Sequence, residues 1–208
     1  MWPFSSSKQN KNAVDAASYI SIKETTEEAK IEKMVTKLEH IFYSTSREIV
    51  ILCIGSDRST GDSLGPLAGK ILKEKNIPYP IYGTLQEPVH ALNIKKVLKE
   101  IKETHDDPFI FGIDACLGDE RQIGYILIRE GSFIPGNAVN RALPSVGDYH
   151  LKAIVNTLDP LSPVHSLNST RLYMVLKLAE IIAEIISRVA ANDHTSRGVI
   201  EKMNVPQT

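Results

Sequence analysis

Two short hydrophobic runs in this chain each lead directly towards an aspartate. Ile49-Val50-Ile51-Leu52-Cys53-Ile54 closes on Gly55 and opens into a polar loop that holds Asp57, Arg58 and Asp62. Phe109-Ile110-Phe111-Gly112-Ile113 runs straight into Asp114. Apolar runs this short and this rich in β-branched residues read as strands buried on both faces of a parallel sheet. In open α/β sheets, ligands and chemistry collect where loops leave the carboxyl ends of such strands. Carboxylates at two such ends can face each other across one cleft. Two nearby carboxylates cannot both ionise cheaply, so one pKa rises while the other stays low. One then accepts a proton from water while its partner donates to a carbonyl oxygen or a leaving amine.

Local sequence also allows quieter roles. Asp62 stands just before the helical-looking Ser63 to Lys73, where an aspartate is a favoured N-cap. Asp114 can be a turn residue satisfied by nearby backbone amides. Asp57 and Arg58 share the Asp62 loop; Arg58 can hold a carboxylate or a substrate backbone, or the two can be a solvated pair. Asp148, in Pro144-Ser145-Val146-Gly147-Asp148, lies near another strand end and can line the cleft or act as a cap. His150 follows two residues later and reads as an ordinary, partly exposed histidine.

Rival chemistries find less support. Ser56, Ser63 and Ser145 have no His/Asp arrangement around them, and GxSxG is absent. Cys116 lies two residues beyond Asp114, but nothing nearby would depress its pKa. There is no GxxxxGK[ST] or GxGxxG to cradle a phosphate, and no CxxC or Cys/His zinc spacing.

These residues are carried by alternating strand and helix patterns. Apolar spacing predicts a helix over Lys23 to Tyr43, a strand at Ile49 to Ile54 and an amphipathic helix after Asp62. A strand at Ile81 to Leu85, a lysine-rich helix over His90 to Thr104 and a strand at Phe109 to Ile113 follow. Gly124 to Arg129 reads as a fourth strand, Gly131 to Asn137 as a turn region and Lys152 to Thr157 as the start of a helix. A long helix spans Ser169 to Ala191, with Ser169 or Thr170 as its cap. The alternation predicts an α/β three-layer sandwich with a mainly parallel central sheet. Residues 1–20 and 192–208 read as flexible tails around a single domain of residues 21–191.

At 208 residues the chain suits one well-filled domain. Its 42% hydrophobic and 24% charged residues are those of an ordinary globular protein. The net charge of −1 gives no reason to expect nucleic acid or an anionic membrane as a partner. No apolar run approaches the roughly 20 residues that span a bilayer. The first residues, MWPFSSSKQNKNAVDAA, lack the apolar core of a secretory signal. Cys53 and Cys116 lie in buried-looking segments and read as small buried thiols of a cytoplasmic protein.

GSDRSTGDSLGPLAG, GIDACLG and LPSVGD, in that order and spacing, resemble the motifs of the YyaC-type spore proteases, sporulation proteins related to the germination protease. The hydrogenase maturation endopeptidases are more distant relatives. The resemblance covers Glu48 to Val189. It implies a hydrogenase-maturation-protease-like or germination-protease-like fold and peptide-bond hydrolysis, with Asp62 and Asp114 at the positions of the two catalytic carboxylates. It implies a protein or peptide substrate, with small acid-soluble spore proteins as the candidate class, and action in the forespore or spore core. No cofactor is expected on that reading. The hydrogenase branch implies the alternative of a divalent transition metal held by Asp62, Asp114 and His150. A third possibility is a sporulation factor that binds a peptide without cutting it.

Overall fold

The computed structural model describes residues 18–21, 28–135 and 143–203, with residues 18–21 and 194–203 as backbone only. Strand β1 (Ser18–Ser21) is followed by helix α1 (Glu28–Tyr43), β2 (Ile49–Cys53), α2 (Leu64–Glu74), β3 (Ile81–Tyr82) and α3 (Ile94–Thr104). Then come β4 (Phe109–Gly118), β5 (Tyr125–Glu130), β6 (Tyr149–Thr157), the short α4 (Pro163–Asn168) and α5 (Leu172–Met203). The six strands form one sheet in the order β1-β5-β6-β4-β2-β3. The β3–β2, β2–β4 and β4–β6 pairs are parallel, and β5 runs antiparallel to both β1 and β6.

Strand periodicity divides the core between the two faces of this sheet. Ile49, Ile51 and Cys53 of β2 pack with α1, α2 and α5, while Val50 and Leu52 point the other way, towards Ile94 and Ile101 of α3. The result is the expected three-layer α/β sandwich. From β2 the chain passes through α2 to β3 on one side, then back through α3 to β4 on the other. Because α2 and α3 cover opposite faces, the loops leaving β2 and β4 diverge and leave a crevice between them. This is the topological switch point where open α/β sheets place their ligands.

Several elements depart from the sequence expectations. Lys152 to Thr157 is no helix: it is part of β6, inserted between β4 and β5. Leu151, Ala153 and Val155 enter the larger core, a period of two that a helix cannot give. The strand expected to stop at Ile113 continues to Gly118, because β6 pairs with it along that length. Asp114 is therefore inside β4; only β2 has ended at its level. The strand at Ile81 is two residues long and stops at Gly83, which has φ +91°. The third helix starts at Ile94 rather than His90. Ser169 and Thr170 do not cap α5; their hydroxyls donate back to the carbonyls of His165 and Ser166 in α4.

Both domain boundaries also move. Ser18–Ser21 pairs with β5, so the sheet begins inside the stretch expected to be a tail. Helix α5 continues to Met203, and Asp193 is buried, accepting a hydrogen bond from the Tyr79 hydroxyl at 3.3 Å. Residues 1–17 and 204–208 lie outside the described residues.

Candidate active site

The loop between β2 and α2 is folded tightly on itself. Gly55, with φ +148°, lies so close to the Asp62 carbonyl that a Cβ there would sit 1.9 Å from its oxygen. The Ser56 N–H donates to the same oxygen at 3.0 Å. Asp62 occupies a single 3-10 turn, Gly61–Ser63, that leads into α2. The residues at the cap positions are Thr60 and Ser63, and neither makes a side-chain cap bond. The Asp62 carboxyl is thus spent on no capping role. Burial raises its pKa, opposed by the Ser56 N–H and by the charge of His90.

Asp114 is 4% exposed. Its neighbours Ile113 and Ala115 face the larger core, so its own side chain projects from the opposite face, on the side of α3. Burial pushes its pKa up to about 7; Lys152 and the Ala115 N–H oppose the rise, and the charge of Asp62 adds to it. The two carboxylates sense each other electrostatically, as members of one site must.

Two residues that sequence reasoning passed over belong to the same neighbourhood. Lys152 on β6 is the register partner of Asp114 on β4. Residues paired in adjacent strands project to the same face, so the ammonium shares the Asp114 side of the sheet. His90 stands just after Val89, which bridges to Ile54 at the end of β2. The His90 ring Nδ1 accepts the Leu92 N–H at 3.2 Å, so a proton carried by the neutral ring sits on Nε2. Lys152 carried no sequence signal, since its segment reads as the start of a helix, and His90 reads as the first residue of one.

The other expected residues are distributed differently. Asp57 and Arg58 are exposed on the outer part of the loop and form no ion pair among the described residues. Asp148 does not join the crevice. It precedes β6 and lies four residues before Lys152, roughly 13 Å away along the strand, at the opposite end of the sheet. There it accepts from Arg47 at 2.7 Å and from the Ile110 N–H at 2.8 Å, tying the starts of β2, β4 and β6 together. His150 is buried and pairs with Gly112, one pleat away from Asp114. Its Nδ1–H donates to the Gly131 carbonyl at 2.9 Å, its ring rests 4.7 Å from that of Phe133, and burial lowers its pKa.

Cys53 and Cys116 are free thiols. The Cys116 thiol lies near Asp114, but burial and the charge of Asp114 push its pKa up to about 12, which removes the thiolate a nucleophile needs. Nor does the donor set fit the transition metal that the hydrogenase branch implies. Among the described residues, no three His, Cys, Asp or Glu side chains gather to hold an ion. His150 is committed to Gly131 and Phe133, and the residue opposite Asp114 is a cation.

A family model described as a protein of unknown function (DUF1256) matches residues 22–185. The chain belongs to this family. The DUF1256 match spans Asp62, His90, Asp114 and Lys152 together. Among curated proteins, the chain is 43% identical over 145 residues to YyaC of Bacillus subtilis (strain 168), described as uncharacterized, covering 69% of this chain and 70% of YyaC. A solved structure with some likeness is the NiFe hydrogenase maturation protease HycI from Thermococcus kodakarensis KOD1. Its TM-score is 0.48 at 18% identity, over 74% of this chain and 99% of HycI. Among the described residues, no helix of this DUF1256 protein is long and apolar enough to cross a membrane.

Proposed function

We propose that this protein is a peptidase that hydrolyses a peptide bond with Asp62 and Asp114 as its acid/base pair. The observation that carries the reading is the state of Asp114. A carboxyl group buried at the sheet's switch point, with its pKa near 7 and a second carboxylate acting on it, is prepared to exchange a proton near neutral pH. Near neutral pH both its protonated and its ionised forms are therefore within reach. The less buried Asp62 takes a proton from water as the oxygen attacks the carbonyl carbon. Protonated Asp114 donates to the carbonyl oxygen and, as the intermediate collapses, the proton moves on to the leaving amine. Each cycle returns the pair to its starting proton count.

Exposed apolar side chains close in sequence to the helix beside the Asp62 turn suit a polypeptide substrate. Leu158 and Leu161 are exposed between β6 and α4, Val164 is exposed on α4, and Leu161 is 96% exposed. Helix α4 and the residues after it abut the Asp62 turn, since a Cβ on Gly61 would meet Leu167 and Thr170 at 3.0 and 2.9 Å. The substrate class we propose is small acid-soluble spore proteins, and the setting is the forespore or spore core. The test is mass spectrometry of a spore-protein extract incubated with the pure protein, with Asp114→Asn as control. New peptide termini from the wild type and none from the variant are expected. The same termini from both proteins would remove the mechanism, and stable binding without cleavage would make the protein a peptide-binding factor.

A further inference from the structure

The Asp62/Asp114 crevice has too few donors for a metal and one basic side chain that a metal site would exclude. We propose that the ammonium of Lys152 is the resident cation of this site, standing where a metallopeptidase would hold a divalent ion. The inference deepens the peptidase reading and rests on it only for the use to which the charge is put.

Three observations on separate elements carry it. Asp114 and Lys152 are register partners in the parallel β4–β6 pair, and their strand neighbours face the larger core, so both side chains leave the sheet on the α3 side. Lys152 is also held on that side. Its Nζ lies 4.7 Å from the centroid of the Phe133 ring, within the range of a cation–π contact. The ring itself is anchored, because Phe133 and Val146 exchange backbone hydrogen bonds of 3.0 and 2.8 Å. It also covers Gly112, where a Cβ would stand 2.5 Å from Phe133 Cε1. A glycine two residues before Asp114 therefore makes room for the ring that seats the ammonium opposite Asp114.

The donor set argues in the same direction. No three His, Cys, Asp or Glu side chains gather among the described residues. The stretch 136–142, Gly-Asn-Ala-Val-Asn-Arg-Ala, contains none of these four residue types and can bring no such donor. A divalent ion between the carboxylates would also meet the like charge of Lys152, which nearby Arg129 reinforces at Cys116. With Lys152 present, the two carboxylates and the ammonium carry a net charge of about −1 when both acids are ionised and about 0 when one is protonated. The ammonium favours the ionised pair, and so holds its proton affinity below what burial alone would set. Lys152 is accordingly a positioning residue that acts through Asp114.

The test needs no cleavage, so it stands whether or not the protein proves to be a peptidase. Full-length wild type and Asp114→Asn are titrated with Ni²⁺ and Zn²⁺ by calorimetry. Identical uptake by the two proteins is expected. One extra equivalent in the wild type that disappears in Asp114→Asn overturns the proposal. In a second arm, carbon-13 carboxyl shifts follow the proton uptake of the pair in Lys152→Met and Lys152→Arg. The charged and titratable groups around the pair are His90, Cys116, Arg129, His150 and Lys152, and only the last is altered. The apparent pKa of the pair should rise by about one unit or more in Lys152→Met and stay within a few tenths in Lys152→Arg. No rise in Lys152→Met would equally overturn the proposal.

Discussion

Replacing Asp114 by asparagine should stabilise this protein, and by an amount that depends on pH in a definite direction. An unfolded aspartate titrates near 3.9, whereas burial holds folded Asp114 at about 7. Between those values the folded state keeps a proton that the unfolded state has released, so the native protein binds more protons. Stability therefore falls as pH rises from about 4 to about 7, the reverse of a salt-bridged carboxylate. Three units at 1.36 kcal/mol each give a loss of about 4 kcal/mol, fully developed above pH 7, as an upper bound. Asparagine has the same shape and no charge to lose. Whatever fixed cost its amide carries in the site, about 1–2 kcal/mol, is the same at every pH and cancels from the comparison. The assay is urea unfolding of both proteins at pH 4, 5, 6, 7 and 8. The stability of Asp114→Asn relative to wild type should climb by about 2–4 kcal/mol from pH 4 to pH 8, with unchanged m-values. A difference that stays constant, or shrinks as pH rises, would refute the assignment of a raised pKa to Asp114 and the acid role built on it.

Other outcomes follow from the same geometry. Cleavage by the wild type should decline as pH rises through about 7, where Asp114 loses its proton, and a pH–rate profile reads this directly. Cys116→Ser should keep full activity, because a thiol with a pKa of about 12 takes no part as a nucleophile. Asp148→Ala should lower stability by about 1–2 kcal/mol in denaturant unfolding and leave kcat unaltered, since it breaks a latch at the far end of the sheet. Gly112→Ala should cost about 1–3 kcal/mol by forcing a methyl group into the Phe133 ring.

The parts of this molecule that were legible in the sequence are those whose neighbours are local. Ile49 to Ile54 and Phe109 to Ile113 are buried on both faces, and so they read as continuous apolar runs whatever their partners. The placement of Asp62 in the turn into α2 needed only the loop and the helix that follows it. Segment 149–157 was obscured because Ile154, on the same face as Lys152 and Asn156, is apolar and stands between Ala153 and Val155, which breaks the alternation of apolar and polar residues. Its strand character depends on being clasped between β4 and β5. Lys152 carried no signal for the same reason, since its meaning comes from register with a residue 38 positions earlier. Asp148 misled in the opposite way. It does stand at a strand terminus, but only the topology reveals that the terminus is the amino end of β6, away from the crevice. The extent of α5 was hidden because polar residues after Ala191 resemble a tail, whereas Asp193 is turned inward to Tyr79.

The placement of β6 also has a consequence for synthesis on the ribosome. It is the last strand among the described residues, yet it lies in the interior of the sheet, between β5 and β4. A nascent chain that has emerged only through Glu130 can pair β2 with β3 and β4, and β1 with β5, but no strand pairing joins the two groups. Each half then presents an open edge, the condition that invites pairing with other chains. The 18 residues between Glu130 and Tyr149 prolong that interval at every round of translation. The proposed reactive centre is incomplete throughout it, because the ammonium opposite Asp114 arrives on the closing strand. The order of the strands thus makes the site wait for β6, and a chain released before it would carry both aspartates without their counter-charge.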